Sequence, residues 1–268
     1  MKNNNLVEKF WSENHLGKGV IDTKNIHNFF LEHSNLSDKQ TTFKKYLPKE
    51  KNKDILDIAC GVGYWLDKYN DYCEPHTLTG IDISDSSIKI CKARFKNSNI
   101  LLINSNAEDL KLLDGKFDFI SCHGALHHMQ NPDLALLEMT KLLKEGGEMN
   151  ISIYYKNIFL KLYDKSSLFR KLLRNFFQGI PGRGREKFFQ ADNSSDLVRQ
   201  FDGIDNPIGW AGDKKDIEAI IPTSLKISKV SYEFSPTVYI LPFIPTNLHR
   251  FISRFIPLMM YVKLINKG

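Results

Sequence analysis

Long apolar runs are missing from this chain of 268 residues. The most apolar region, Val238 to Ile265, is broken by Pro242, Pro245, Pro257, Arg250, Arg254 and Lys263, so it holds no uninterrupted stretch of about twenty residues able to cross a bilayer as a helix. Within it, 246–256 reads as an amphipathic helix, with Leu248, Phe251, Ile252 and Phe255 on one side and His249, Arg250 and Arg254 on the other. Core packing is the expected use of its apolar side, and peripheral contact with a lipid surface the alternative. Cysteine is scarce. The four thiols, Cys60, Cys73, Cys91 and Cys122, are scattered without a CxxC pair, which argues against a disulfide framework and against a structural zinc; no metal is expected. With no secretory signal at Met1-Lys2-Asn3, they read as reduced thiols in a cytoplasmic protein. Internal repeats and low-complexity tracts are absent. A formal net charge of +6 falls short of the broad basic face that nucleic-acid recognition needs. Nothing in the sequence speaks to oligomeric state.

What is present is concentrated in residues 54–63, Asp-Ile-Leu-Asp-Ile-Ala-Cys-Gly-Val-Gly, a buried strand running into a glycine turn and then a helix. Gly61 and Gly63 remove the Cβ atoms that would keep a ligand off the backbone, and the first N–H groups of the following helix carry partial positive charge at the same spot. A second apolar run, Leu78-Thr79-Gly80-Ile81, ends in Asp82, about where a Rossmann-type fold places an acid for ribose hydroxyls. Leu66 stands where a dinucleotide fingerprint has its third glycine, so a nucleotide cofactor of the NAD type is not expected. The pattern fits another adenosine-bearing ligand.

Five segments in order then resemble the class I S-adenosylmethionine (SAM) methyltransferases, most closely the small-molecule type that includes the ubiquinone/menaquinone methyltransferases. They are Asp57-x-x-x-Gly61-x-Gly63, Gly80-Ile81-Asp82-Ile83-Ser84, Asn106-Ala107-Glu108-Asp109-Leu110, Phe117 through His128, and Leu142-Leu143-Lys144-Glu145-Gly146-Gly147. The resemblance covers residues 50–155. It implies SAM as cofactor and S-adenosylhomocysteine as product, held by Asp57, Ala59, Gly61, Gly63, Asp82, Ile83, Asn106, Ala107, Glu108 and His123. Asn106 departs from the family, which has an acid there accepting from the adenine amino group; an amide oxygen accepts the same bond without charge assistance.

Periodicity predicts strands at 54–59, 77–82, 99–103, 117–122 and 148–154, alternating with helices at 62–69, 84–96 and 132–144, the last starting at Pro132 after a capping Asn131 and ending at Gly146-Gly147. The expected fold is an α/β, Rossmann-like, doubly wound sheet of seven strands, the last antiparallel as in the family. Leu225–Phe234 and Leu258–Ile265 supply its final two strands. Residues 1–50 read as a cap of short amphipathic helices, with Phe10 and Trp11 in the first, Phe29, Phe30 and Leu31 in the second, and Phe43 and Tyr46 in the third, packed over the cofactor pocket. The SAM-binding core occupies 51–155. From 156 to 222 the alternation stops, giving a substrate-cap insertion with a helical stretch at 158–177, and 223–268 returns to the core.

For the chemistry, a methyl group attacked in line at about 3–3.5 Å needs mostly positioning and exclusion of water, with a base only when the nucleophile must lose a proton. His127 and His128 follow the fourth strand at the end where such sheets bind ligands, and either is a candidate base, His127 preferred as nearer the strand. Tyr154, at the end of the fifth strand, joins them as a catalytic candidate. Lys161, Lys165, Arg170, Lys171, Arg174, Arg183, Arg185 and Lys187 have only Asp164 and Glu186 against them within 161–187, in the insertion, and Arg170, Arg174, Arg183 and Arg185 are candidate contacts to a negative acceptor. Asp202 and Asn206 lie in an Asp-Gly-x-x-Asn-Pro turn that resembles one in some bacterial relatives, and are further substrate candidates. The expected activity is O-methylation of a small anionic metabolite, phosphorylated or nucleotide-linked, such as a surface-glycan precursor. The alternatives are a C-methyltransferase on a quinone or lipid and a tRNA wobble-uridine methyltransferase.

Overall fold

In the computed structural model, residues 2–14, 43–177, 179, 183–234 and 243–268 are described. The second expected N-terminal helix, with Phe29, Phe30 and Leu31, lies outside them. Helix α1 (Lys2–Asn14) is followed by a 3-10 turn at Phe43–Tyr46 rather than a third α-helix. The core then alternates: β1 (Asp54–Ile58), α2 (Tyr64–Cys73), β2 (Thr77–Asp82), α3 (Asp85–Arg94), β3 (Leu101–Asn104), β4 (Phe117–His123), a 3-10 turn at Leu126–His128, α4 (Pro132–Leu142) and β5 (Leu143–Tyr155). The sheet order is β3-β2-β1-β4-β5-β8-β7, with β1 to β5 parallel and β8 (Met259–Asn266) antiparallel between β5 and β7 (Leu225–Glu233). The expected architecture is borne out, with one addition: the two-residue strand β6 (Ala211–Gly212) pairs with the end of β5 at Tyr154 and Tyr155.

Strand alternation explains the two covered faces. In β1, Ile55 packs with Leu66, Tyr69, Ile88 and Phe119 on one side, while Leu56 and Ile58 pack with Ile120, Leu136, Met139 and Ile151 on the other. Each face needs a helical layer, which makes the sheet doubly wound.

Two boundaries differ from expectation. Gly146-Gly147 does not end α4: the helix stops at Leu142 and the glycines lie within β5, Gly146 at φ +72°. Asn131 makes no side-chain cap; its side-chain amide instead donates to Glu108 Oε2 at 2.8 Å. Pro132 occupies the first turn, where a missing N–H costs nothing.

The insertion is more ordered than its sequence pattern. The single stretch expected at 158–177 is two helices, α5 (Ile158–Lys165) and α6 (Ser167–Phe176), because the Ser166 side chain caps α6 by accepting from the Phe169 N–H. A 3-10 segment (Arg185–Gln190) and α7 (Ser194–Gln200) complete a separate small core of Leu160, Tyr163, Leu173, Phe188, Phe189 and Leu197, anchored on Tyr154 of β5. The chain rejoins the main core before 222: Ile217 of α8 (Lys214–Ile220) is fully buried in the cluster shared with β4 and β5. The last helix, α9, spans Thr246–Ser253.

Candidate active site

The turn after β1 is shaped by hydrogen bonds that its backbone N–H groups donate to β2. Cys60 N–H donates to the Ile81 carbonyl at 2.8 Å, and Gly61 N–H donates to Asp82 Oδ2 at 2.8 Å. The other oxygen of Asp82 accepts from Ser84 N–H, also at 2.8 Å. Ala59 and Gly61 both take positive φ, 55° and 54°, which lifts the chain over the strand end. Burial pushes the Asp82 carboxyl up, against the two backbone N–H groups that favour its ionised form.

Beside this turn lies a cavity of about 200 Å³. It is lined by Ala59, Gly61, Ile81, Asp82 and Ile83 at and after the ends of β1 and β2, by Asn106, Ala107 and Glu108 after β3, and by His123, His128 and Met129 at and after the end of β4. Val7 and Trp11 of α1 close it. Trp11 and Ser12 near the end of α1 present carbonyls to Ser84 Oγ (3.5 Å) and Ser86 Oγ (2.8 Å) at the start of α3, which holds that helix over the cavity.

Eight of the ten residues expected to hold the cofactor line this space; Asp57 and Gly63 do not. A Cβ on Gly63 would lie 2.6 Å from the Phe95 ring and 2.8 Å from Arg94 Nη1, so this glycine is required by packing against the end of α3. A Cβ on Gly61 would meet no protein atom within 4 Å. Asp57 sits behind the turn, fully buried, with Oδ1 accepting from Ser121 Oγ at 2.6 Å and Oδ2 without a partner. Burial pushes its carboxyl up to about 7, the Ser121 bond opposing the shift.

The lining residues are partly engaged in holding loops. Glu108 accepts from the backbone N–H groups of Gln130 and Asn131 at 2.9 and 3.1 Å, pinning the segment before α4. Asn106 Oδ1 accepts from Glu108 N–H at 3.0 Å, a local Asx turn that leaves its second lone pair and its amide N–H₂ for a ligand. The His123 ring stacks on Trp65 with centroids 4.2 Å apart, has no hydrogen-bond partner, and is pushed by burial down to about 3; it is a neutral wall. Sequence reasoning missed Val7 and Met129. Val7 was findable, since it lies one turn before Trp11 on the same face of α1.

The histidine pair divides the opposite way from expectation. His127 is fully buried, does not line the cavity, and has both ring nitrogens unpartnered between the His128 and Tyr154 rings, each 4.1 Å away. Burial, reinforced by His128, pushes its imidazole well below the usual range. His128 does line the cavity, with Trp11 edge-on at 5.0 Å, yet both of its nitrogens are engaged. Nδ1 lies 2.8 Å from the Ile208 carbonyl, and Nε2 lies 3.2 Å from Asp202 Oδ2.

These contacts make the Asp202–Asn206 turn a latch between insertion and core. Asp202 Oδ2 also accepts from Tyr154 Oη at 2.8 Å, so the tyrosine hydroxyl is engaged too. Burial raises the Asp202 carboxyl, but the His128 hydrogen bond and charge, the Tyr154 hydroxyl and the Arg183 charge outweigh it and hold it below the usual range. Asn206, fully buried, donates to the Arg199 carbonyl at 2.9 Å, and neither turn residue lines the cavity. The arginines expected to contact a negative acceptor donate instead to carbonyls within the insertion. Arg170 reaches Tyr163, Arg174 reaches Phe189 and Ala191, Arg183 reaches Asp202, and Arg185 reaches Phe201.

Asp202→Ala is therefore expected to cost roughly the 1.5–3 kcal/mol of hydrogen bonds to a charged group and to release the insertion. Limited proteolysis within 183–212 should accelerate at least about ten-fold while SAM affinity changes less than about two-fold. Unchanged proteolysis would mean that the turn is held by other contacts.

A family model described as a methyltransferase domain matches residues 56–151, the stretch that carries the lining residues from Ala59 to Met129. Residues 56–151 form a methyltransferase domain. A solved putative SAM-dependent methyltransferase from Listeria monocytogenes shares the fold at a TM-score of 0.57 and 18% identity, over 85% of this chain and 97% of that one. In sequence, the demethylmenaquinone methyltransferase of Staphylococcus carnosus is 28% identical over 181 residues, 59% of this chain and 75% of that protein. An uncharacterised Synechococcus protein is 33% identical over 105 residues, 37% of this chain. The chain spans 25% of that protein and 46% of a similar Listeria welshimeri demethylmenaquinone methyltransferase.

SAM is the cofactor of this domain, and the cavity suits it. The space over Gly61 admits a ligand to the backbone, and the Asp82 carboxylate keeps lone pairs beyond the two used by Gly61 and Ser84. Among the described residues no cluster of His, Cys, Asp and Glu could hold a metal, and no helix is long and apolar enough to cross a membrane.

Proposed function

We propose that this chain transfers the methyl group of SAM to a small, largely apolar acceptor. The observation that carries the reading is the composition of the cavity: Val7, Trp11 and Met129 line it beside His128, and among the described residues no lysine or arginine does. A phosphate or nucleotide group would lose its water there without gaining a cation, a desolvation cost of several kcal/mol. The anionic acceptor depended on the basic stretch 161–187, whose candidate arginines are engaged with insertion carbonyls. The likeness to demethylmenaquinone methyltransferases supports an apolar ring as acceptor, with transfer to carbon.

Bound SAM supplies an electrophilic methyl on a positively charged sulfur. Gly61, Asp82, Ile83, Asn106 and Ala107 hold and orient it in this reading, while the apolar side chains of Trp11 and Met129 exclude water. His128, held from both sides, is a rigid wall and a positioning residue, and His127 is packing. Of the two histidines that line the cavity among the described residues, His128 is engaged at both nitrogens and His123 is pushed by burial down to about 3, so in this reading the acceptor brings a nucleophile that needs only alignment: an ionised oxygen or an activated ring carbon.

The test is methyl transfer from tritiated SAM to three acceptor panels: reduced isoprenoid naphthoquinones lacking the ring methyl, sugar phosphates with nucleotide sugars, and unmodified tRNA. Turnover is expected on the first panel. Turnover on the second alone would restore the anionic reading, and on the third alone would make the chain an RNA enzyme.

A further inference from the structure

Helices α5 and α6 are apolar on two sides. Their inner sides fill the insertion's own core through Leu160, Tyr163 and Leu173, and that contact is all the fold asks of them. On the outer side, Leu168, Leu172 and Phe176 recur every fourth residue along α6, exposed by 66%, 45% and 76%, and Ile158 and Leu162 do the same on α5. A helix that packs on one neighbour has one apolar stripe, so the second stripe has no partner within the described residues.

The charges on this outer side are of one sign. Lys161, Lys165 and Lys171 are exposed among the apolar residues, α6 has no acid, and the single acid of α5, Asp164, accepts from the N–H and hydroxyl of Ser194 at 2.7 Å each. A second copy meeting this face across a two-fold axis would set lysines against lysines with no acid between them. A nucleic acid would match the lysines and leave the five large apolar groups in contact with a charged backbone.

We infer that the outer face of α5–α6 docks on an anionic lipid surface, the apolar stripe entering the headgroup boundary and the lysines pairing with lipid phosphates. The face sits at the functional rim of the sheet: α5 begins three residues after β5 ends at Tyr155, and Tyr154 supports the latch beside the cavity. Docking there brings the cavity side of the molecule toward the bilayer. The inference stands on the face itself and not on the acceptor class.

The experiment is co-sedimentation of the full chain with vesicles, without acceptor. Binding is expected to vesicles of phosphatidylcholine with roughly 30 mol % phosphatidylglycerol, at least about ten-fold tighter than to pure phosphatidylcholine, and weakened by raising salt from about 50 to about 500 mM. A combined Leu168→Ser, Leu172→Ser, Phe176→Ser variant and a combined Lys161→Glu, Lys165→Glu, Lys171→Glu variant should each lose at least about ten-fold in binding, with SAM affinity unchanged as the measure of intact folding. A Phe251→Ser, Phe255→Ser variant, at α9 and just beyond its end, should bind as the parent does. No binding to the anionic vesicles overturns the inference. So does full binding by both α5–α6 variants, loss of binding in the α9 variant alone, or a dimer in solution that the apolar variant dissociates.

Discussion

Gly61→Ala is expected to yield a folded protein whose SAM affinity is at least about 100-fold weaker, roughly 2.7 kcal/mol. The backbone at Gly61 has φ +54°, where an alanine costs about 1–2 kcal/mol, tolerable for a domain of this size. Its Cβ would meet no protein atom within 4 Å; it would project into the space through which a ligand reaches the Gly61 backbone. Gly63→Ala is expected to do the reverse. Its Cβ meets Phe95 at 2.6 Å and Arg94 at 2.8 Å, and Arg94 is itself hydrogen-bonded to the Val62 carbonyl and Asp67, so relief requires moving a fixed side chain. The cost there falls on folding, about 1–3 kcal/mol for overpacking. Titration calorimetry with SAM and thermal unfolding of each variant separate the two glycines. If Gly61→Ala bound SAM within about three-fold of the parent, the cavity would not be the cofactor site.

The Asp57 carboxyl should give the ligand-free protein stability that is lost as pH rises from about 4 to about 7, on the order of 4 kcal/mol in total, read as the difference between the parent and Asp57→Asn, since buried neutral His123 and His127 give both proteins an opposing rise. The Asp57 carboxyl is buried without a partner for Oδ2, and its pKa stands at about 7 against 3.8 for an ordinary aspartate. In that window the folded protein keeps a proton that the unfolded chain has released, so each step up in pH favours unfolding. Asparagine keeps an acceptor for Ser121 Oγ and removes the ionisation, making the variant more stable than the parent at pH 7.5. Urea titrations of both proteins at several pH values measure this directly; parallel curves would show that Asp57 ionises freely in the folded state.

Both glycines occupy one motif, and the contrast between them shows where sequence reading stops. The strand–turn–strand–acid spacing placed Gly61 and Asp82 at the cavity because adjacent parallel strands carry their ends to the same edge of the sheet. Spacing did not separate Gly61 from Gly63, since that depends on Phe95 and Arg94 arriving from the far end of α3. The histidines repeat the lesson. Their place after β4 was legible, but His127 precedes His128 along the chain while only His128 faces the cavity, because the 3-10 turn at Leu126–His128 swings successive side chains apart.

The basic stretch of the insertion is the largest difference between sequence and structure. A run of arginines reads as a surface for anions when the number of open backbone carbonyls around it is unknown. Here the short helices and the 3-10 segment end in carbonyls with no intrahelical donor, and Arg174 and Arg185 supply the missing N–H groups.

By itself, the sequence determined the alternating α/β sheet, its antiparallel β8, the methyltransferase domain and the edge at which its ligand binds. The sheet and its binding edge follow from periodicity and spacing within about thirty residues, where the chain itself limits the geometry; the antiparallel strand and the domain follow from the resemblance to the class I methyltransferases. The tertiary structure alone decided which polar groups stay available. His128 lies 80 residues from the Ile208 carbonyl it contacts and 74 from Asp202, and Tyr154 lies 48 from Asp202. Contacts at such separations are selected by how the insertion folds back on the core, and whether a side chain acts on a ligand or holds the protein together is settled only when those partners have been brought into place.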